Sequence, residues 1–242
     1  MRNFRVSVVM TSFNGVQYLR AQVESIVKQL SADDELLISD DGSTDGTQTL
    51  IRELQQEYPL IRMLEGPRRG IVANFAYAIG KATGDLIFLS DQDDVWLDDK
   101  VSTVTGYFEK HPDIACIVHD VRVVDQSLTT IEPSFYAFRG SKNGLLNNLI
   151  KNSFMGSAMA IRSDMRSYVL PIPEKVPMHD QWIGLVCLLF GKVVFLPDVL
   201  GLYRRHGNNA SSFSRSSIHR MISNRKYLVL ELLKRKFRGN GQ

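Results

Sequence analysis

Cysteine is scarce in this chain, with two among 242 residues, Cys116 and Cys187. Both lie inside apolar runs (Ile-Ala-Cys-Ile-Val and Leu-Val-Cys-Leu-Leu), so they read as small core residues and not as a disulfide or metal pair, which fits a reducing compartment. Long apolar runs are missing too. The stretch from Ile183 to Phe190 is broken by Gly191 and Lys192, well short of membrane-spanning length. The run from Val6 to Met10 is too short, and turns polar too soon, for a signal peptide. A soluble, cytoplasmic protein is expected. A formal charge of +3 is too weak to imply nucleic acid, and 44% hydrophobic with 23% charged residues excludes disordered and low-complexity classes. No Gly-x-Gly-x-x-Gly follows the first apolar run, no Walker sequence occurs and no Ser-His-Asp elbow appears. Dinucleotide oxidoreductases and P-loop NTPases thereby lose their main support.

What the chain does have is alternation. Residues 5–11 form a β-branched apolar run ending in Thr-Ser-Phe-Asn-Gly, and helical spacing follows over 16–30 (Leu19, Val23, Ile26, Val27, Leu30). A second strand is expected at 35–39. Ser43 or Thr44 is then placed to cap a helix through Leu50, Ile51 and Leu54, which Pro59 stops. A strand at 60–64, a helix at 72–82 and a strand at 86–89 complete a βαβαβαβ series, which predicts a parallel sheet between helices. The polar clusters after the first, second and fourth strands should meet at one edge of that sheet. Beyond a helix at 101–110 and a strand at 114–124 the pattern loosens. Residues 126–144 read as a long excursion, 145–151 and 181–190 as helical, 157–162 and 193–196 as extended, and 216–238 as a basic amphipathic helix.

The fourth strand ends abruptly in Ser90-Asp91-Gln92-Asp93-Asp94-Val95-Trp96. An apolar run leading into clustered carboxylates is unfavourable unless something cationic or hydrogen-bonding receives the charge. A divalent metal holding phosphate oxygens at the carboxyl end of a buried strand meets that need; a solvated acidic loop is the alternative. Oxygen ligands suit Mg²⁺ or Mn²⁺ better than Zn²⁺. A calcium hand fails, because Trp96 holds its glycine position and Ser102 its closing acid. The loop from Asp41 to Gly46 fails as well, with Arg52 at the closing position and a strand in front. At the second strand end, Asp40 and Asp41 could serve helix capping. Ser43 and Thr44 can supply that cap, which leaves one Asp spare to accept the N3–H of a uracil or thymine ring.

These motifs resemble the family 2 glycosyltransferases of the GT-A type fold. The resemblance is carried by Val8-Val9-Met10-Thr11-Ser12-Phe13-Asn14-Gly15, by Asp40-Asp41-Gly42-Ser43-Thr44-Asp45-Gly46-Thr47 and by the Ser90–Trp96 segment. It continues through Gly70 and Asn74, Asn152-Ser153-Phe154-Met155-Gly156-Ser157, Met178-His179-Asp180-Gln181-Trp182 and Tyr203-Arg204-Arg205-His206-Gly207-Asn208-Asn209. The form of the acidic motif looks most like members that build bacterial surface polysaccharides, rhamnosyltransferase-like ones among them. The implied fold is α/β and Rossmann-like, a mostly parallel sheet flanked by helices with a C-terminal amphipathic helix. It implies a nucleotide-sugar-binding half over 1–97, an acceptor-binding half over 98–214, and a basic tail over 215–242.

Carried over residue by residue, the resemblance implies that Thr11, Phe13 and Asp41 hold the nucleotide base, with Asn74 lining the same pocket. Asp91 reaches the ribose or the metal, and Asp93 binds the metal. His206, on a loop closing over the donor, approaches the metal or diphosphate unless it is simply a surface residue. Arg68 and Arg69 contact phosphates or are merely solvated. Asp180 matches the general base, with an N-cap of the following helix as its alternative use. His179 departs from the family's common Glu-Asp pair and leaves one fewer negative charge beside Asp180, and Asp98 replaces a frequent proline. The expected reaction is an inverting transfer of one sugar from a UDP- or dTDP-linked donor to a hydroxyl of a glycan or lipid-linked acceptor, with Mn²⁺ or Mg²⁺. The Gln-x-x-Arg-Trp motif of processive synthases is absent, so polymerisation is not expected. A sugar-1-phosphate nucleotidyltransferase would share the sheet but should open on a Gly-rich loop. A non-catalytic nucleotide-sugar-binding module is opposed by the full set of acids. The tail could pack on the domain, pair two subunits or lie on an anionic membrane.

Overall fold

The computed structural model of the protein describes residues 3–207 and 218–239. The first half alternates as expected, through β1 (Val6–Ser12), α1 (Val16–Val27), β2 (Glu35–Asp40), α2 (Thr47–Glu57), β3 (Ile61–Glu65), α3 (Ile71–Lys81) and β4 (Leu86–Asp91). β1 is buried along its whole length and β4 up to its last residue. Such strands are covered on both faces, which is why they read as unbroken apolar runs and not as alternating ones. Val9, Leu37 and Leu89 face one layer with Phe75 of α3, while Val8, Met10 and Ile38 face the other with Leu19, Val23 and Ile51.

The second half comprises β5 (Val95–Trp96), α4 (Lys100–Lys110), β6 (Ile114–Val124), β7 (Thr130–Glu132), α5 (Phe135–Arg139) and α6 (Leu145–Ile150). A 3₁₀ turn at Gly156–Ala158 leads into β8 (Met159–Arg162), followed by α7 (Arg166–Val169), α8 (His179–Phe190), β9 (Lys192–Arg204) and α9 (Ile218–Gly239). The sheet runs β3-β2-β1-β4-β8-β6-β9-β5, with β7 beside β6. The β3-β2-β1-β4 block and the β6–β9 pair are parallel, whereas β8, β5 and β7 run antiparallel to their neighbours.

Two departures from the sequence pattern have clear causes. The extended run at 193–196 is part of the longer β9, which passes Pro197, a residue with no N–H for the ladder. The register jumps there, His119 facing Leu196 and Asp120 facing Val199, so 197–198 bulge out and the strand resumes. Ser43 and Thr44 do not cap α2: that helix starts from Gly46 at φ +97, and no side chain caps it there. The Ser43 hydroxyl donates to the Asp40 carboxylate, and its oxygen accepts the Asn14 N–H (2.8 Å), so it ties the β1 and β2 ends together and not the helix start. Cys116 and Cys187 are free and buried. Among the described residues no helix is long and apolar enough to cross a membrane. Residues 215–217 of the expected tail helix, like Asn208 and Asn209, lie outside the described residues.

Candidate active site

The strand register builds the site's floor. Thr11 pairs with Ser39 on one side and Asp91 on the other, and Ser12 pairs with Asp40. The polar ends of β1, β2 and β4 therefore meet at the carboxyl edge of the sheet. Over that edge lies a cleft of about 690 Å³, lined among others by Thr11, Phe13, Asp41, Asn74, Asp91, Asp93 and Asp180. His206 reaches the same cluster from behind, through Asp93.

The two acids ending β2 have separate uses. Asp40 is consumed by the fold, accepting from the Ser12 hydroxyl (3.0 Å), the Gly42 and Ser43 N–H groups (3.2 and 2.9 Å) and Gln48 Nε2 (2.9 Å). Asp41 accepts the Arg68 N–H at Oδ1 and the Gly70 N–H at Oδ2, each at 2.7 Å. It thereby clamps a turn in which Arg68 sits at φ +57, left-handed backbone that is unfavourable for any residue but glycine. The clamped turn presents Arg68 to the cleft, whereas Arg69 pairs with Glu174. Each Asp41 oxygen keeps a second acceptor site. Asn74, nearly fully buried, is bound by its amide to Ser39: Oδ1 accepts the Ser39 hydroxyl (2.6 Å) and Nδ2 donates to its carbonyl (2.8 Å). A Cβ on Gly66 would lie 2.7 Å from that Oδ1 and 2.6 Å from the Asp40 carbonyl, so only glycine lets the chain pass there.

The acidic loop is held on three sides. Gln92 Oε1 accepts the Phe13 N–H (2.9 Å) and Nε2 donates to the Phe13 carbonyl (3.0 Å), which ties the β1 turn to the β4 turn. Phe13 itself lines the cleft with 56% of its surface exposed. Arg204, at the end of β9, donates through its backbone to Asp94 Oδ1 (3.0 Å) and through Nε to the Asp93 carbonyl (2.8 Å). His206 Nε2 lies 2.7 Å from Asp93 Oδ2, and its ring stacks on Tyr18. Beneath the loop is Lys100, fully buried, whose Nζ donates to the Ser157 carbonyl (2.7 Å) and lies 3.8 Å from the Trp96 ring centre.

The electrostatics follow from that crowding. Burial, and then the charges of Asp94, Asp93 and Asp180, hold the Asp91 carboxyl well above its usual range. Burial and Asp93 push Asp94 up to about 7. Burial drives the Lys100 ammonium far down against the pull of Asp94 and Asp91. The donors presented to the cleft are carboxylate oxygens, acceptor-only groups that suit a hard divalent cation. Among the described residues no three His, Cys, Asp or Glu side chains converge on one point. Mg²⁺ and Mn²⁺ commonly take one or two carboxylates and complete their shell with substrate phosphates, so Asp91 and Asp93 fit such an ion.

Asp180 arrives from another element. α8 begins at His179, so Asp180 stands in the first turn and not at the cap, where its charge suits the helix dipole. Its Oδ1 accepts the Gln181 N–H and Asn152 Nδ2 (3.2 Å). Burial lifts its carboxyl to about 6, against the hydrogen bonds from Gln181, Asn152 and Gly156. His179 beside it stacks on Phe75 with ring centres 3.8 Å apart, and burial lowers it to about 3, so the ring is neutral. A Cβ on Gly156 would fall 2.6 Å from His179 Nε2, and the stacked ring has no room to retreat. Gly156→Ala is therefore expected to cost about 1–3 kcal/mol by overpacking, read as a lower denaturant midpoint with unchanged slope. An unchanged midpoint would show that the ring moves freely.

Gln92, Lys100, Asn152 and Arg204 were not given roles from sequence. Gln92, Asn152 and Arg204 lie within the motifs quoted above, yet nothing in a glutamine, asparagine or arginine of that spacing says which atoms it bridges. Lys100 had no signal beyond being a lysine at the start of an apolar helix face.

Comparison with known proteins bears on this site. The profile of the family described as "Glycosyl transferase family 2" matches residues 7–167. An uncharacterised glycosyltransferase of Nostoc sp. is 27% identical over 213 residues, 85% of this chain and 66% of that protein. A chondroitin synthase of Pasteurella multocida is 29% identical over 149 residues, 62% of this chain but 15% of the synthase. The chain thus spans less than two thirds of either relative's length. Among solved structures, Staphylococcus aureus TarS 1-349 in complex with UDP-GlcNAc superposes with a TM-score of 0.70 at 16% identity, over 96% of this chain and 72% of that one. The Pyrobaculum calidifontis mannosyltransferase PcManGT in complex with GDP-Man and Mn²⁺ gives 0.64 at 17%, over 97% and 64%. The fold is that of these GT-A type transferases.

Proposed function

The chain belongs to glycosyl transferase family 2, and from that membership we propose an inverting, metal-dependent transfer of one sugar from a UDP- or dTDP-linked donor to a hydroxyl of a glycan or lipid-linked acceptor. The setting we infer is bacterial surface polysaccharide synthesis, in the cytoplasm or at the inner face of the cell membrane. One observation carries the reading: Asp91 and Asp93, from the end of β4, line the same cleft as Asp180, from the start of α8. Inversion by a single displacement needs a base for the acceptor hydroxyl and a counter-charge for the departing diphosphate. Asp180 supplies the base. Its carboxyl near 6 is mostly ionised at neutral pH yet basic enough to hold a proton in passing. Asn152 and the Gln181 N–H fix its orientation.

On the donor side, Phe13 offers a face for stacking the base, and Asp41 keeps an acceptor site for a ring N–H. Arg68, aimed into the cleft by the Asp41 clamp, is placed for phosphate oxygens. Bound Mg²⁺ or Mn²⁺, held by Asp91 and Asp93, would supply charge neutralisation at the leaving diphosphate. His206 orients the Asp93 carboxylate from behind, as partners of metal-ligating groups do.

Calorimetric titration with UDP, dTDP, GDP and CMP, each with and without Mn²⁺, tests the reading. Metal-dependent binding confined to UDP or dTDP is expected. Tight GDP or CMP binding would move base reading away from Asp41, and no binding to any of the four would remove the transferase reading.

A further inference from the structure

We infer that the outward face of α9 is a docking surface for a bilayer carrying anionic headgroups. The helix divides cleanly. Leu228 and Leu232 are buried against the domain, and α9 packs on α6 and α8. Arg225 donates to the carbonyls of Leu149 and Ile150 at the end of α6, and Arg235 to those of Leu170 and Pro171. Both arginines thus fasten the helix to backbone oxygens of the domain. At about 100° per residue, the opposite side gathers Ile222, Val229, Leu230, Leu233 and Phe237, all exposed and Phe237 by 76%. Lys226, Lys234 and Lys236 stand among them, also exposed. No Asp or Glu lies on that side. Glu231, half-buried at its flank, bonds Lys234 (2.7 Å).

Large apolar side chains interleaved with lysines on an exposed face are costly in water and uncommon without a partner. A spanning role is ruled out by the lysines and by hydropathy. A second copy would set lysine against lysine across a two-fold axis, and like charges there repel. An anionic lipid surface answers both halves of the face: the apolar residues enter the acyl boundary and the lysines meet headgroup phosphates. The face adjoins the site. Leu146 and Ile150 of α6 are exposed as well, and the segment after α6 delivers Asn152 to Asp180.

Docking itself stands apart from the transferase reading; its use, presenting a lipid-linked acceptor to Asp180, rests on that reading. The test is co-flotation of the whole chain with phosphatidylcholine vesicles, with and without phosphatidylglycerol, in the absence of any donor. Binding only to the phosphatidylglycerol vesicles, weakening as salt rises, is expected. Lys226→Gln with Lys236→Gln should weaken it roughly 25-fold, about fivefold per charge. Leu230→Glu with Leu233→Glu should abolish it at an unchanged melting temperature, since both residues are exposed. Absence of binding, equal binding by the lysine variant, or a solution dimer that the leucine variant splits would each overturn the inference. UDP titration on the same samples separates this failure from that of the transferase reading.

Discussion

Asp180→Asn lowers turnover by about two to three orders of magnitude, the scale of losing one strong transition-state interaction, while UDP binding stays within about twofold. Asparagine keeps the shape and can still accept from Gln181 and Asn152, so the helix start survives; what disappears is the proton acceptor. The wild-type rate should carry its signature. A base must be ionised to act, so kcat/KM falls as pH drops through about 6 and levels off above it, following the carboxyl that burial has raised. The variant should lack that limb. A pH profile with no inflection near 6, or a variant with near-wild-type turnover, would place the base elsewhere.

The second large effect is expected at Asp93. Asp93→Asn should also lower turnover by two to three orders of magnitude, about one strong contact, but by a different route. It removes the proposed cation ligand and the carboxylate that bonds His206, so the Mn²⁺-dependent part of UDP binding should vanish along with the rate. Stability should move the other way. Burial holds Asp91 and Asp94 above their usual range and the Asp93 charge adds to it, so removing that charge relieves repulsion between buried acids. Apo protein carrying the substitution should melt no lower than wild type. Loss of fold instead would mean that the His206–Asp93 bond outweighs that repulsion.

The legible part of this molecule is the part where one physical rule dominates. Strands covered on both faces must be apolar throughout, so β1 and β2 could be placed within a residue and β4 within two, and parallel topology then forced Thr11, Asp41 and Asp91 to one edge. Asp180 was placed through its motif, and its lift to about 6 needed the burial that only the fold reveals. Where two rules compete, sequence was a poor guide. The Ser43 oxygen could accept an N–H of α2 or of the β1 turn, and the turn's Asn14 takes it. Pro197 could end β9 or occupy a bulge, and the β6 register decided that. The excursion over 126–144 concealed β7 and α5, because a three-residue strand and a helix of five residues leave no periodicity to read. The helix still has a local cause: Ser134 accepts the Ala137 N–H at its start.

The clasp at the end of β9 bears on how the acidic loop comes into being. Chains emerge from the ribosome amino end first. A nascent chain that has completed β4 already carries Asp91, Asp93 and Asp94, yet the arginine that fixes their loop lies 111 positions beyond Asp93. Until β9 slots in beside β6, the carboxylates are present without their geometry. The loop therefore takes its final geometry only once Arg204 has been made and β9 has paired with β6, and a chain interrupted anywhere before Arg204 lacks that clasp.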